Sequence, residues 1–416
     1  MLIFELINLM YRVIYGCFFA LDFYRPDFFS DSGFPTFGSM LLSNVVGQRA
    51  AKEGLLKMWH SNHFPHALLI AGQEGTGGLP MGLALAQYIF CENKKENDSC
   101  GECPGCRKVS RLEHADLHLS YPTISPKPGT KAMSRYFIQE FREFIAQTPY
   151  GTTYDWLQFI NAENKQGNIT AEECREIIET LNLKSYEGGK KLQLIWRAEY
   201  LGKEGNILLK LIEEPPADTI LIIIAESTEN ILPTILSRTQ LIRLAPISAN
   251  DIAFGLGERS LAESKKASQI GHISNGSFTE ALRLVRHAEN DLFPELRKLF
   301  NIIFTNNGLA IAKFAEEWSK SGREQQKNFL HYVIQLLEQA IRARFLPEAP
   351  VALPGEEGEF VRKLAKMSIG HEAMAGMVDT ITNTVYYIER NAHSKTQLHA
   401  LCLRLQYIIQ NKELTL

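Results

Sequence analysis

Four of the seven cysteines in this 416-residue chain fall in one short stretch, as Cys91-x8-Cys100-x2-Cys103-x2-Cys106. Gly101, Pro104 and Gly105 lie among them and permit the tight turns that aim several sulfurs at one centre. Four thiolates favour tetrahedral Zn²⁺, and a closed shell of four leaves no position for water, so the expected role is structural. An iron–sulfur cluster is the chemical rival, but no redox partner site accompanies it. Free buried cysteines are the bland alternative, and they fit poorly with three cysteines two residues apart in a polar loop. His114 and His118, on the exit segment, are expected to be packing or surface residues because the shell is already full. Cys17, Cys174 and Cys402 stand alone. The odd total of seven and the lack of a secretory pattern argue against a disulfide scaffold and for a reducing, cytoplasmic setting.

A second constellation follows the apolar run HALLIA: Gly72-Gln73-Glu74-Gly75-Thr76-Gly77-Gly78-Leu79, then Pro80 and a helical pattern. A phosphate-binding loop of the form G-x-x-x-x-G-K-[ST] cradles phosphates with backbone N–H groups, meets them with a Lys, and binds Mg²⁺ with a hydroxyl. Here Gly72 and Gly77 keep the spacing, whereas Gly78 replaces the Lys and Leu79 the hydroxyl. The Mg²⁺-holding Asp should stand at the end of a later strand. The end of LQLIW reads Trp196-Arg197-Ala198-Glu199: Trp cannot coordinate Mg²⁺, Arg197 would repel it, and Glu199 comes three residues late. Losses at three separate positions predict a degenerate site that does not bind nucleotide.

The elements that must position these groups are legible from periodicity. HALLIAG (66–72), WLQFINA (156–162), KLQLIW (191–196) and TILIIIA (219–225) read as strands, and 79–90, 136–147 and 170–182 read as helices. Thr170 stands three residues before Glu173, which predicts a capping box. Near-continuous apolar strands separated by helices predict a parallel sheet covered on both faces. After Pro246 helical periodicity takes over, at 248–256, 259–272, 277–287, 292–305, 308–321, 323–345, 357–367 and, with interruptions, 370–412. The expected organisation is an α/β domain over 40–244 carrying the four-Cys module at 91–106, a small helical domain over 245–290 and a larger all-α domain over 291–416.

Composition sets the limits. With 44 Lys plus Arg against 47 Asp plus Glu, the formal charge of −3 excludes a basic nucleic-acid arm or an acidic tail. DNA would have to be met by a local patch or through partners. The apolar N-terminus is interrupted by Glu5, Asn8, Arg12 and Asp22, which fits neither a spanning helix nor a signal peptide, so residues 1–39 are expected to be an appendage before Met40.

Taken in order, these motifs resemble one family, the delta-prime subunits of the bacterial DNA polymerase III clamp loader, within the AAA+ clamp-loader superfamily. The matching residues are Val45-Val46-Gly47-Gln48, Pro65-His66-Ala67, the altered phosphate loop, the four-Cys insert and His114-x-Asp116. Further on come Asn206 to Pro216 (NILLKLIEEPP), Leu232 to Arg238 (LPTILSR) and Glu389-Arg390-Asn391-Ala392. The resemblance covers about 40–410. It implies an AAA+ α/β domain with a zinc-binding insert, a helical lid and a helical collar that joins subunits.

The resemblance also implies a role for Ser237-Arg238, which keeps two of the three residues of a Ser-Arg-Cys motif that presents its Arg to ATP on a neighbouring subunit; Thr239 replaces the Cys. By position alone Arg238 would be a surface residue at a helix C-terminus. Gly276 to Leu282 resembles the sensor-2 segment, with Thr279 where active ATPases carry Arg. The implied protein has no ATPase activity of its own and belongs to a DNA-directed DNA polymerase holoenzyme. ATP would be bound by partner subunits of gamma/tau and delta type, and the sliding clamp and primed DNA would be met through the assembly, away from any membrane. An ATP-hydrolysing gamma/tau-type subunit and a zinc-containing DNA-binding protein are the alternatives. Glu213 and Glu214, about 100° apart on a helix, do not form an acid/base dyad; Pro215 ends that helix.

Overall fold

The computed structural model describes residues 40–410 apart from 62, 128, 163–164, 288–291, 306, 346–354, 368 and 390–391. The expected appendage at 1–39 lies outside the described residues, as do Arg390 and Asn391. Five parallel strands form one sheet in the order β2-β3-β4-β1-β5: β1 (Ala67–Ala71), β2 (Leu117–Ser120), β3 (Lys191–Trp196), β4 (Thr219–Ala225) and β5 (Gln240–Arg243). In the central strands the side chains alternate between two buried faces. Leu68, Ile70, Leu192, Leu194, Ile220, Ile222 and Ile224 enter one core, and Ala67, Leu69, Ile195, Leu221 and Ile223 enter the other.

Before the sheet comes α1 (Arg49–His60). Between β1 and β2 come α2 (Gly78–Phe90) and α3 (Pro104–Ser110); between β2 and β3 come α4 (Ile138–Gln147), α5 (Thr153–Phe159) and α6 (Ala171–Asn182). Helix α7 (Leu209–Glu213) precedes β4, and the single turn α8 (Pro233–Leu236) precedes β5. Three helices follow, α9 (Ala249–Glu258), α10 (Ser264–Ile273) and α11 (Phe278–His287), packed around Ile252, Leu256, Ile270 and Phe278. Six more close the fold: α12 (Phe293–Thr305), α13 (Gly308–Ser319), α14 (Arg323–Phe345), α15 (Gly355–Lys366), α16 (His371–Glu389) and α17 (Ser394–Ile409). They share a separate apolar cluster.

One expected strand is a helix. WLQFINA lies mostly in α5 because Thr152 caps that helix: its hydroxyl accepts from Asp155 N at 3.0 Å, while the Asp155 carboxylate accepts from Thr152 N at 2.8 Å. Trp156 and Leu157 are thereby turned into the core. The capping box expected at Thr170 is half present. Thr170 accepts from Glu173 N at 3.3 Å, but the Glu173 carboxylate turns inward to Ser120 Oγ (2.6 Å) and Ser134 N (2.8 Å). The two outer strands, β2 and β5, escape periodicity because each is four residues long with polar members, as edge strands commonly are.

Candidate functional site: a closed phosphate loop, a four-thiol centre and an exposed arginine

The loop at 72–79 sits between β1 and α2 at the C-terminal edge of the sheet, where nucleotide sites of parallel α/β folds lie. Gly75 and Gly77 take the positive φ values, 81° and 94°, that such a turn demands. A Cβ on Gly72 would come within 2.6 Å of both Leu244 Cβ and Thr76 Oγ1, so close packing also fixes that glycine. The loop's carbonyls are already used by neighbouring elements. Gly75 O accepts from Phe278 N at the start of α11 (2.9 Å), and Thr76 O accepts from Gln48 Nε2 (3.1 Å). A Cβ on Gly75 would collide with the Ser277 hydroxyl. The segment 276–287, the turn before α11 and the helix itself, is thus pressed directly onto the loop.

The consequence is spatial. The cleft bounded by the loop, Pro149 to Thr152, Trp196, Arg197 and Glu226 holds about 40 Å³. Small-molecule sites run to roughly 300 Å³ or more. Leu79 is 4% exposed and belongs to the main core, and Gly78 lies against Ile224, so neither position projects a functional group. Trp196 joins an aromatic cluster with Phe141 and Phe144, at ring distances of 5.8 and 6.2 Å. Arg197, at a φ of 63°, is ion-paired with Glu226. Glu199 does not return to the strand end: its carboxylate accepts from the N–H groups of Glu226 and Ser227. Burial pushes its pKa up.

Two charged groups that sequence reasoning passed over also belong here. Burial pushes the Glu74 carboxyl upward, opposed by the charges of Arg283 and Arg197. Arg283, one turn beyond Thr279, lies 3.7 Å from Asp155 and 3.6 Å from Glu280. Thr279 itself is buried and donates its hydroxyl to the Tyr150 carbonyl. The phenol of Tyr150 accepts from Val46 N at 2.8 Å, and burial raises its pKa to about 12. The spacing of Arg283 from Thr279, four residues on one helical face, was the available signal.

The four cysteines do converge. Cys91 caps the end of α2, Cys103 caps the start of α3 and Cys106 lies within α3. All four sulfurs lie within 4.8 Å of one another, with Cys91 to Cys100 at 3.6 Å and Cys100 to Cys106 at 3.8 Å. The edge of a tetrahedron with metal–sulfur bonds of 2.3 Å is about 3.8 Å, so the set fits one four-coordinate ion. Backbone N–H groups point at the sulfurs: Cys100 N at Cys91 (3.3 Å), Cys103 N at Cys100 (3.3 Å), and Glu92 N and Cys106 N at Cys103 (both 3.4 Å). Those from Glu102 and Cys103 hold the Cys100 thiol down to about 6, while burial pushes Cys91 and Cys106 up.

Gly101 supplies a φ of 80°, and a Cβ on Gly105 would collide with the Phe90 carbonyl. The Asp98 carboxylate ties the module to the N-terminal turn by accepting from Leu42 N and Ser43 N, each at 2.9 Å. His114 stacks on Phe90 at 3.9 Å, a packing role. Burial raises the Asp116 pKa, but Glu187 N, Tyr186 N and Ser185 Oγ all donate to its carboxylate and together hold it below the usual range. This part of the His114-x-Asp116 motif therefore anchors the loop before β3.

The NILLKLIEEPP and LPTILSR segments meet at the surface. Helix α7 stops at Glu213, with Glu214 non-helical before Pro215. His66 Nε2 contacts the Ile212 carbonyl at 2.9 Å, so the Pro-His-Ala segment fastens the end of α7 to the start of β1. Arg238 follows α8; its side chain is 34% exposed and ion-paired with Glu213, a partner that the sequence did not suggest.

The family described as "DNA polymerase III, delta subunit" matches residues 47–248. Over 356 residues the chain is 24% identical to the DNA polymerase III subunit delta' of Bacillus subtilis, covering 83% of this chain and 91% of that relative. It is 28% identical over 195 residues to subunit delta' of Escherichia coli, covering 47% and 46%. It is 22% identical over 273 residues to subunit gamma of Buchnera aphidicola, covering 64% and 60%. The parallel α/β sheet with its helical C-terminal part and these matches define a clamp-loader-type protein of the DNA polymerase III family that includes delta', gamma and tau subunits. Within that family the chain is identified with the delta' subunits. Among the described residues no helix is long and apolar enough to cross a membrane.

Proposed function

We propose that the chain is a non-hydrolysing subunit of a clamp loader, lending Arg238 to ATP held by an adjacent subunit. The observation that carries this is the small cleft: about 40 Å³ at a phosphate loop whose cation and hydroxyl positions are a glycine and a buried leucine. An arginine finger stabilises charge on a transferring phosphoryl group and is worth about 10³ to 10⁵ in rate where it acts in catalysis. Arg238 and Ser237 are surface residues suited to that use. In this proposal residues 40–244 form the AAA+ domain, 245–290 the lid and 291–416 the collar. The partners are gamma/tau-type and delta-type subunits, and the sliding clamp and primed DNA are engaged through the assembly. The four-thiol centre holds structural Zn²⁺, the ion that closed four-Cys shells favour.

The test is a reconstituted assembly with and without this chain, and with Arg238→Ala. DNA-stimulated ATPase and clamp loading should depend on the chain and fall at least tenfold in the variant; unchanged rates would remove the finger assignment. Micromolar Mg²⁺-dependent ATP binding by the isolated chain would instead support a gamma/tau-type ATPase. Salt-dependent DNA affinity without partners would support a zinc-containing DNA-binding protein.

A further inference from the structure

Arg238 is held in place by its own chain. Its Nε donates to Glu213, and its Nη1 donates to the Thr234 carbonyl at 3.0 Å and to the Ser237 hydroxyl at 3.2 Å. Nη2 makes no hydrogen bond among the described residues. Two of the three guanidinium nitrogens are therefore engaged, and the third, Nη2, is left to donate elsewhere. Both anchors are firm. Glu213 ends α7, whose Ile212 carbonyl is fastened by His66, and α8 is pinned by Ile235, which is buried.

The location of Glu213 also needs a reason. A carboxylate in the last turn of a helix faces the negative end of the dipole, and an exposed ion pair adds little to stability. Neither effect favours an acid at this position for the sake of the fold. A role in aiming Arg238 does.

We propose that Glu213 is a positioning residue for Arg238: it engages the Nε donor and so holds the guanidinium with Nη2 presented to a phosphoryl oxygen on an adjacent subunit. This rests on the finger assignment above. An unheld arginine samples many rotamers, and the ordering of one such side chain corresponds to about threefold to tenfold in an equilibrium or rate. Because the constraint acts on a group that meets charge developing during transfer, the loss belongs in kcat, with little change in half-saturation by ATP.

The experiment uses the reconstituted assembly with clamp and primed DNA, and compares steady-state ATPase for the wild type, Glu213→Ala, Glu213→Gln, Arg238→Ala and the Glu213→Ala/Arg238→Ala double variant. Glu213→Ala should lower kcat about threefold to tenfold at unchanged ATP half-saturation and unchanged thermal midpoint. Glu213→Gln, which keeps an acceptor oxygen for Nε, should recover most of the rate, and the double variant should match Arg238→Ala. Wild-type or faster turnover in Glu213→Ala, or a double variant slower than Arg238→Ala, overturns the positioning role while leaving the finger intact. An unaffected Arg238→Ala overturns both.

Discussion

Restoring the two missing side chains of the phosphate loop, Gly78→Lys with Leu79→Ser, should not restore nucleotide binding. The obstacle is spatial as well as chemical. Any ATP must enter a cleft of about 40 Å³, against roughly 300 Å³ for small-molecule sites. The substitutions carry their own cost. Leu79 is 4% exposed in the main core, so exchanging it for serine removes packed methyl groups and buries a hydroxyl, about 3 kcal/mol. A Cβ at position 78 would lie 3.1 Å from Ile224 Cγ2, which must give by a few tenths of an ångström. For a domain of this size that loss corresponds to a fall of about 6 to 12 °C in thermal midpoint. The assay is calorimetric titration with Mg²⁺–ATP on variant shown to be folded by circular dichroism. No saturable binding in the micromolar range is expected. Micromolar affinity, about 8 kcal/mol, would refute the argument by showing that two side chains, and not the small cleft, exclude nucleotide.

Three further outcomes follow from the same structure. Purified without chelators, the chain should carry about one Zn²⁺, and Cys103→Ser should lose it and lower the thermal midpoint; metal analysis showing clearly less than one ion in the wild type would count against the four-thiolate centre. Trp156→Ala should cost about 3 to 5 kcal/mol by chemical denaturation, because the ring is fully buried and its Nε1 donates to the Pro122 carbonyl at 2.7 Å; a loss below about 1 kcal/mol would contradict the packing. Burial, with the charges of Arg283 and Lys327, lowers the His331 pKa to about 4 from 6.5. The unfolded chain therefore binds the extra proton between those values, and the stability associated with a neutral His331 is lost as pH falls from 6.5 towards 4. Glu280 and Glu74, both raised by burial, act with the opposite sign, so the comparison is with His331→Gln. Relative to that variant, the wild type should lose up to roughly 3 kcal/mol across the window, and parallel pH profiles would refute the assignment.

The central strands were legible because a buried parallel strand is apolar along its whole length, as in TILIIIA. The same cue misled at WLQFINA. There the local cap at Thr152 and Asp155 selects a helix, and an apolar run by itself does not distinguish a helix from a strand. The candidate sites divide in the same way. Short-range spacing announced the four cysteines, since Cys100, Cys103 and Cys106 follow one another across the turn into α3 and only Cys91 comes from the end of α2. Glu213 and Arg238 are 25 residues apart on different elements, and no periodicity connects them. Glu74, Arg283 and Asp155 come from three elements whose meeting depends on where the helical segment settles.

The sequence by itself determined the chemistry that is absent and the chemistry that is possible: a loop without its lysine, a strand end with tryptophan in place of an acid, four thiols at metal-binding spacing, and a Ser-Arg pair. Those are properties of residue identity and near-neighbour spacing, which the chain carries before it folds. Only the tertiary structure decided that the cleft is small, that Asp116 anchors a loop, and that Arg238 is held through two of its nitrogens. Each of these depends on distant segments brought together by burial of apolar faces, a collective outcome that local spacing does not encode.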